Sequence, residues 1–407
     1  LKHNYNLNPA TLQTLRDIRL SKRFCVTATD KNHGPVILEM DQYTERAHFD
    51  HLGNTFQYTE ISARAAAELD LANYQRILKL TVDYRRMDKE SIDYFTKKLR
   101  GPRSDNGVIQ MPEHLRLPYF YLLPKIHKTP WKTRPVVSGV STVNEPLSKW
   151  IDIQLQQVIH LCPAYLKDSW QLLRELRELP PLPPDTICFT ADAVSMYTNI
   201  DNQHWIETIG RWLNLHRANL PTDFPLLKIL EGLHIIMRNN VFSFGNRFFK
   251  QANGTAMATP CACSYPTIYY SYHEETILLQ PDIAPIFYRR LIDDTYIIQR
   301  NTPQGYTNFM QAMNSFGQEG ARLEWESPEP GCAVDFLNLN ILINQDGTLA
   351  TSTFQKPMNL YLFRPPASAQ PPSILYGLIY GTLHRLFWQN SEKNTFETFT
   401  LKFFQRL

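Results

Sequence analysis

With 407 residues, the chain has room for two or three domains of about 150 residues each and for a sizeable core. Hydrophobic residues at 43%, charged residues at 20% and aromatics at 12% exclude a disordered, collagen-like or coiled-coil chain. Lys plus Arg total 42 against 39 for Asp plus Glu, a net charge of +3, so a phosphate-binding surface has to be local.

Six cysteines without regular spacing do not make a disulfide framework and point to a reducing compartment. No apolar run reaches the roughly 18 residues of a membrane helix. The nearest, Ser373 to Trp388, is broken by Gly377, Gly381, His384 and Arg385, and a soluble protein with no membrane partner is expected. The start at Leu1, without a signal-like pattern, reads as a fragment boundary.

In chain order, residues 1–110 read mostly as helix, with a β-like excursion from Phe24 to Met40. The basic-rich stretch Lys79 to Arg103 reads as a polynucleotide face or as a solvated helix surface. From His114 to Asn144 there is no Asp or Glu, while Arg116, Lys125, Lys128, Lys132 and Arg134 stand among Tyr119, Phe120, Tyr121 and Trp131. The apolar runs Tyr119 to Leu123 and Pro135 to Val137 flank this cationic stretch, which predicts a β-hairpin with cations at its tip. A helix over Asn144 to His160 follows, then the proline cluster Pro180 to Pro184.

Thr186 to Ala191 predicts a short apolar strand ending at Asp192. Gly245-Asn246 marks a two-residue hairpin between Val241 to Phe244 and Arg247 to Lys250. A helix is expected from Thr259 to Leu279, then a hairpin over Ile286 to Arg300 centred on Asp293-Asp294, further strands to Phe354, and closing helices. Strands and helices interleave without repeats, which is an α+β pattern.

The sharpest chemical feature is Asp293-Asp294 in an apolar hairpin. Two adjacent carboxylates near a core are costly unless a cation sits on them, although a lone Asp-Asp is more often a polar turn. Asp192, at the end of a neighbouring strand, supplies a third carboxylate. Such a trio suits two-metal phosphoryl transfer, in which hard divalent ions are held by carboxylates.

Tyr197, shortly after Asp192, is placed to form a pocket floor that rejects a ribose 2′-hydroxyl; its competing reading is a core tyrosine. Gln251 and Gly254 offer a hydrogen-bonding amide and a close backbone approach, or simply a turn. Arg134 is suited to clamp a triphosphate, with Lys128 or Lys132 beside it. Cys261 and Cys263 read as buried small residues, without a partner pair at zinc spacing.

The order of a cationic hairpin, Asp-x-x-x-x-aromatic, Gln-x-x-Gly and Asp-Asp resembles a reverse transcriptase. Leu123-Pro124-Lys125-Ile126-His127-Lys128 with Arg134-Pro135-Val136-Val137-Ser138 resembles the Penelope-like retroelement reverse transcriptases, whose core is similar to telomerase. Thr29-Asp30-Lys31, Asp192 to Asn199, Asp335-Phe336-Leu337-Asn338 and Lys356-Pro357 through Leu362 match in the same order. Departures are Leu291 where many relatives carry an aromatic, Ala258 in place of a glycine, Cys261 and Cys263 in a stretch of small or hydroxyl residues, and Gln370-Pro371 in place of His-Pro.

The resemblance implies an α+β right-hand polymerase fold. Residues 1–110 would form a mostly helical extension, either RNA-binding or part of the fingers, 111–185 the fingers, 186–350 the palm (interleaved with the fingers around 201–250), and 351–407 a truncated helical thumb. It implies Asp192, Asp293 and Asp294 as catalytic ligands of two Mg2+ or Mn2+ ions. Lys128, Lys132, Arg134, Tyr197 and Gln251 would contact the nucleotide, and Lys125, Gly254 and Lys356 the template and primer.

The implied partners are an RNA template, a DNA primer and deoxynucleoside triphosphates, and the implied location is the nucleus. The chain has no Lys between Lys250 and Lys356, so Lys356, Arg300 or water would protonate the pyrophosphate. Tyr376-Gly377-Leu378-Ile379-Tyr380-Gly381 superficially matches an endonuclease motif but sits in a helical apolar pattern and reads as thumb core. Two rival readings are an inactive or domesticated copy that only binds nucleic acid, and a two-metal nuclease that would leave Arg134, Tyr197 and Gln251 without a task.

Overall fold

The computed structural model describes the chain outside residues 1–7, 33, 83–87, 104–108, 127, 195, 198–200, 255–258, 317–322, 357–360, 362, 364–365 and 367–369. His127, Ala258, Asn199 and most of the Pro357 to Leu362 run therefore lie outside the described residues.

The first elements are α1 (Pro9–Leu20), β1 (Phe24–Ala28), β2 (Pro35–Glu39), α2 (Met40–Ala47), β3 (Tyr58–Ile61), α3 (Ala63–Val82) and α4 (Lys89–Leu99). Next come β4 (Tyr119–Lys125), β5 (Lys132–Ser138), α5 (Asn144–Gln156), α6 (Ser169–Glu178), β6 (Thr186–Val194), α7 (Asn202–Leu215), α8 (Leu226–Arg238), β7 (Val241–Phe244) and β8 (Arg247–Gln251). The rest are α9 (Ser264–His273), β9 (Phe287–Leu291), β10 (Asp294–Arg300), α10 (Gly305–Asn314), β11 (Glu324–Glu326), β12 (Ala333–Phe336), β13 (Leu339–Ile343), β14 (Leu349–Thr353), α11 (Pro372–Gln389) and α12 (Lys393–Arg406). The strands form sheets ordered β11-β6-β10-β9, β3-β8-β7-β4-β5 and β12-β13-β14, plus the β1-β2 hairpin.

The four-stranded sheet is covered on both faces, which is why β6 reads as a continuous apolar run rather than an alternating one. Phe189, Ala191 and Ile297 join a core with Ile77, Leu147, Trp205, Leu233 and Ile268 from the helices. Cys188, Tyr296 and Ile298 enter a second core with Val334, Phe336, Leu339 and Ile341 of β12 and β13. Each of the Val, Leu, Ile and Phe side chains among them contributes about 1.5–3 kcal/mol on burial.

The strand expected to end at Asp192 continues to Val194. Asp192 is paired on both sides, with Asp294 of β10 and Glu326 of β11, so it stands inside the sheet.

Residues 1–110 are packed onto the rest of the fold. β3 pairs with β8, Tyr74, Ile77, Leu80, Phe95 and Leu99 enter the first core, and Thr27 Oγ1 on β1 donates to the Leu122 carbonyl of β4 at 3.2 Å. The hairpins at 119–138 and 241–251 form as the sequence predicts, the latter turning at Gly245 with φ +57.

The helix expected over 259–279 is divided. A 3-10 turn at Pro260–Ala262 precedes α9, and a π turn at Glu274–Leu278 follows it. Cys261 is buried as expected, whereas Cys263 is exposed.

The final helices are fastened to β14, where Ser391 Oγ accepts from Thr351 N at 2.7 Å and Asn390 Nδ2 donates to Thr353 Oγ1 at 2.8 Å. Tyr376 and Tyr380 lie in α11 but are 72% and 73% exposed, so they are not core residues. No helix among the described residues is long and apolar enough to cross a membrane.

Candidate active site

Register brings the carboxylates together. Asp192 on β6 is the direct partner of Asp294 on β10 and of Glu326 on β11. Residues directly opposite in antiparallel strands have Cα atoms about 4.5–5.5 Å apart and side chains on the same face. Glu326, Asp192 and Asp294 thus form a row across three strands. It continues the face that, further along the sheet, packs Cys188, Tyr296 and Ile298 against β12 and β13. Glu326 was not legible as a site residue, because only its pairing with Asp192 places it there.

Asp293 lies in the two-residue turn between β9 and β10. Its carbonyl accepts from Ala193 N at 3.0 Å, tying the turn to β6. The preceding Ile292 has φ 58, a left-handed conformation that is strained for a β-branched side chain.

Beneath the turn, the fully buried Arg290 donates from Nη1 to the Ile292 carbonyl at 2.9 Å. The same guanidinium forms a bidentate pair with fully buried Glu274, Nε to Oε1 at 2.6 Å and Nη2 to Oε2 at 2.8 Å. A buried charge pair placed directly under a strained turn fixes that turn's shape.

The carboxylates feel one another. Burial, then the charges of Asp293 and Asp192, push the Asp294 carboxyl up to about 6, with Lys356 and Lys31 opposing. Asp192 is raised by burial first and then by Asp293 and Glu326, while Lys31 and Arg134 lower it. Among the described residues, no three His, Cys, Asp or Glu side chains are already gathered into a metal-holding group. The backbone supplies the shared face, and side-chain rotation against mutual repulsion is what a cation would drive. All-oxygen carboxylate donors crowded by like charge fit Mg2+ or Mn2+.

The β4-β5 hairpin is cationic, and the charge of its Arg134 reaches Asp192. Arg134 on β5 is half-exposed and ion-paired to buried Asp30, Nε to Oδ1 at 3.1 Å. Lys125 is half-buried, and burial followed by the Arg134 charge lowers its pKa. Lys132 pairs with Lys125 across the hairpin, and Lys128 N donates to the Lys125 carbonyl at 3.1 Å at the tip. Thr133, beside them, donates to Asp50 Oδ2 at 2.7 Å and anchors the hairpin. Trp131 is covered by Arg46, whose guanidinium carbon lies 4.6 Å from the ring centroid.

Tyr197 is half-buried and donates to the Ala262 carbonyl at 3.1 Å. Burial and the nearby Asp293 charge raise its hydroxyl far above the usual range. Lys356 is exposed, and its charge reaches Asp294. Gly254 is buried with φ 73, a conformation that suits glycine.

Two expectations need correction. Gln251 is 1% exposed, and its side-chain oxygen accepts from Asn240 Nδ2 at 2.8 Å, so it serves the sheet interior and not a nucleotide. Arg300 pairs with Thr186 at the far end of β10. At about 3.3 Å per residue that is some 20 Å from Asp294, which removes it as a proton donor at the carboxylates.

No family model matches the chain, and no curated protein matches it. Among solved structures, telomerase from Candida albicans in complex with a TWJ fragment of telomeric RNA is similar over 92% of this chain and 59% of its own, at 10% identity and TM-score 0.58. Apo telomerase from Candida tropicalis is similar over 90% of this chain and 61% of its own, at 11% identity and TM-score 0.50. The chain spans about six tenths of the length of these telomerase chains. At such identity the likeness is one of fold. The chain has the α+β, right-hand polymerase fold.

Proposed function

We propose that the chain is a nucleic-acid polymerase of the reverse-transcriptase class, allied to the Penelope-like retroelements, extending a DNA primer on an RNA template. In this reading the sheet β11-β6-β10-β9 is the palm, the five-stranded sheet the fingers, and α11 with α12 the thumb. The observation that carries it is the carboxylate row Glu326-Asp192-Asp294, with Asp293 held in the adjoining strained turn and the Arg134 charge of the β4-β5 hairpin reaching Asp192. Like charges placed directly opposite across strands are destabilising, so a fold that keeps them there has a use for them.

Asp192, Asp293 and Asp294 would hold two Mg2+ or Mn2+ ions. When bound, such ions lower the pKa of an attacking hydroxyl and neutralise charge on the leaving oxygen. The primer 3′-oxygen forms a bond to the α-phosphorus of the incoming deoxynucleotide while the bond to the bridging oxygen breaks. Pyrophosphate leaves, and the hydroxyl proton passes to solvent. Arg134 holds the phosphates, Asp30 keeps its guanidinium in place, and Tyr197 closes the sugar pocket against a 2′-hydroxyl. Lys125, Lys128 and Lys132 meet the phosphate backbone and nucleotide from the hairpin tip, and Lys356 meets the primer-template from beyond β14. A nuclear location follows from this class.

The test is primer extension on a homopolymer RNA template with magnesium or manganese. Deoxynucleotide incorporation by the parent chain, lost in Asp293→Ala, supports the reading. Template binding without incorporation supports an inactive nucleic-acid-binding copy instead, and strand scission without added nucleotides supports a nuclease.

A further inference from the structure

The helix α6 is fixed to the four-stranded sheet. Leu172, Leu173 and Leu176 are buried in the second core with Tyr296, Ile298 and Val334, and Asp168 caps the first turn, accepting from Gln171 N at 2.9 Å. Trp170 and Arg177 lie two turns apart on the outer side of the helix, both exposed. That side meets the last two turns of α11. The Trp170 ring lies 5.4 Å from His384 and 6.3 Å from Trp388, the latter edge-on. Trp388 Nε1 donates to His384 Nε2 at 3.2 Å, which orients both rings.

Arg177 closes the end of α11. Its guanidinium carbon lies 4.8 Å from the Trp388 ring centroid, and Nη2 donates to the Trp388 carbonyl at 2.8 Å. The last carbonyls of a helix have no partner within it, and a cation there also suits the helix dipole. On the other side, Gln389 and Asn390 hold the same end to Thr353 of β14. The N-terminal half is different: Ile374, Tyr376 and Tyr380 are exposed, and a side chain at Gly377 or Gly381 would meet nothing within 4 Å. A helix of 18 residues is about 27 Å long, so a small tilt at the held end becomes a large displacement at the other.

We infer that Trp170 and Arg177 are positioning residues of the polymerase: they clasp α11 and so hold the thumb at the distance from the palm that grips the primer-template duplex. This rests on the polymerase reading above. Both act through the angle of α11 and not on the reacting atoms. With the clasp broken, gripping and open arrangements interconvert, and the apparent affinity falls with the fraction of chains left in the gripping one.

The experiment uses the full chain with a DNA primer annealed to an RNA template. It measures duplex affinity, nucleotides added per binding event, the single-turnover rate of the first addition at saturating duplex, and thermal unfolding. Trp170→Ala and Arg177→Met are each expected to weaken duplex binding by about three- to tenfold, the size expected for a lost aromatic pair or cation–π contact. Each shortens the products of one binding event and leaves the rate of the first addition at the parent's value. Trp170→Phe and Arg177→Lys, which keep a ring and a cation, recover most of the affinity. The losses are not additive: one loss already opens the clasp, so the double variant binds about as the weaker single variant does.

Duplex affinity and product length at the parent's values in both single variants overturn the clasp and leave the polymerase reading standing. So do additive losses in the double variant, which mark two separate contacts with the duplex, and a lower unfolding midpoint at unchanged affinity, which marks packing alone. A parent chain that incorporates nothing overturns both inferences.

Discussion

Arg290 and Glu274 offer a way to ask how the turn carrying Asp293 is held. The pair is fully buried, and the Tyr288 hydroxyl also donates to Glu274 Oε1 at 2.9 Å. Arg290 Nη2 donates to the Thr267 carbonyl at 2.9 Å, and Nη1 to the Ile292 carbonyl at 2.9 Å. A strained backbone such as that of Ile292 costs about 1–3 kcal/mol. A hydrogen bond from a charged donor contributes about 1.5–3 kcal/mol. The two are of one size, so this bond decides whether the turn keeps its shape.

Glu274→Gln leaves a buried guanidinium without its counter-charge and is expected to lower stability by about 3–5 kcal/mol. The informative variant combines Arg290→Met with Glu274→Leu. Removing both charges together is expected to bring stability back to within about 2 kcal/mol of the parent, yet the turn still lacks its bond. Urea unfolding would be read beside single-turnover incorporation at saturating nucleotide. The double variant should fold cooperatively and incorporate about 10- to 100-fold more slowly, the rate equivalent of about 1.4–2.7 kcal/mol. A double variant as stable and as fast as the parent would refute the reasoning, because the pair would then be core filling alone.

Three further outcomes are expected. Asp294→Asn should abolish incorporation while raising stability by about 0.2–1 kcal/mol, since it removes one member of a row of like charges; chemical unfolding checks the gain, and a loss of stability would contradict it. Tyr197→Ala should admit ribonucleotides more readily, read as the ratio of kcat/KM for matched ribo- and deoxynucleotides, and an unchanged ratio removes Tyr197 from the sugar pocket. Asp70 is buried in α3, and burial raises its carboxyl to about 6, against about 3.9 in an unfolded chain. The folded state therefore binds that proton more tightly, and its stabilising contribution, full below about pH 4, is lost as pH rises through 6. Asp70→Asn should remove this slope and raise stability at pH 7 by up to about 3 kcal/mol; an unchanged pH profile of urea unfolding would contradict it.

What the sequence disclosed follows the range of its signals. The β4-β5 hairpin was legible because two apolar runs flank a cationic stretch, and Asp293-Asp294 because paired carboxylates in an apolar hairpin are conspicuous. Pairing between distant strands was not legible. Glu326 sits on a strand of three residues, and only its register with Asp192 gives it a place in the row.

Gln251 was misread for the same reason. Its burial depends on β3, a short strand far away in the chain whose Tyr58 pairs with it. The role of Asp30 depends on a contact across 104 positions to Arg134. Likewise, the Glu274 carboxylate is buried by a partner on β9, so a local pattern could not reveal that it braces the turn before Asp293. Tyr376 and Tyr380 fit an apolar helical stripe, yet the structure leaves that stripe facing outward.

The central claim is that Asp192, Asp293 and Asp294 jointly grip divalent cations next to the phosphates of a nucleotide. Anomalous diffraction from crystals of the full chain with primed RNA template, a non-hydrolysable deoxynucleotide and Mn2+ tests it most directly. The account predicts manganese peaks within coordination distance of all three carboxylates and absent in Asp192→Asn. Ordered nucleotide with no manganese at these side chains, or manganese held elsewhere, would contradict it.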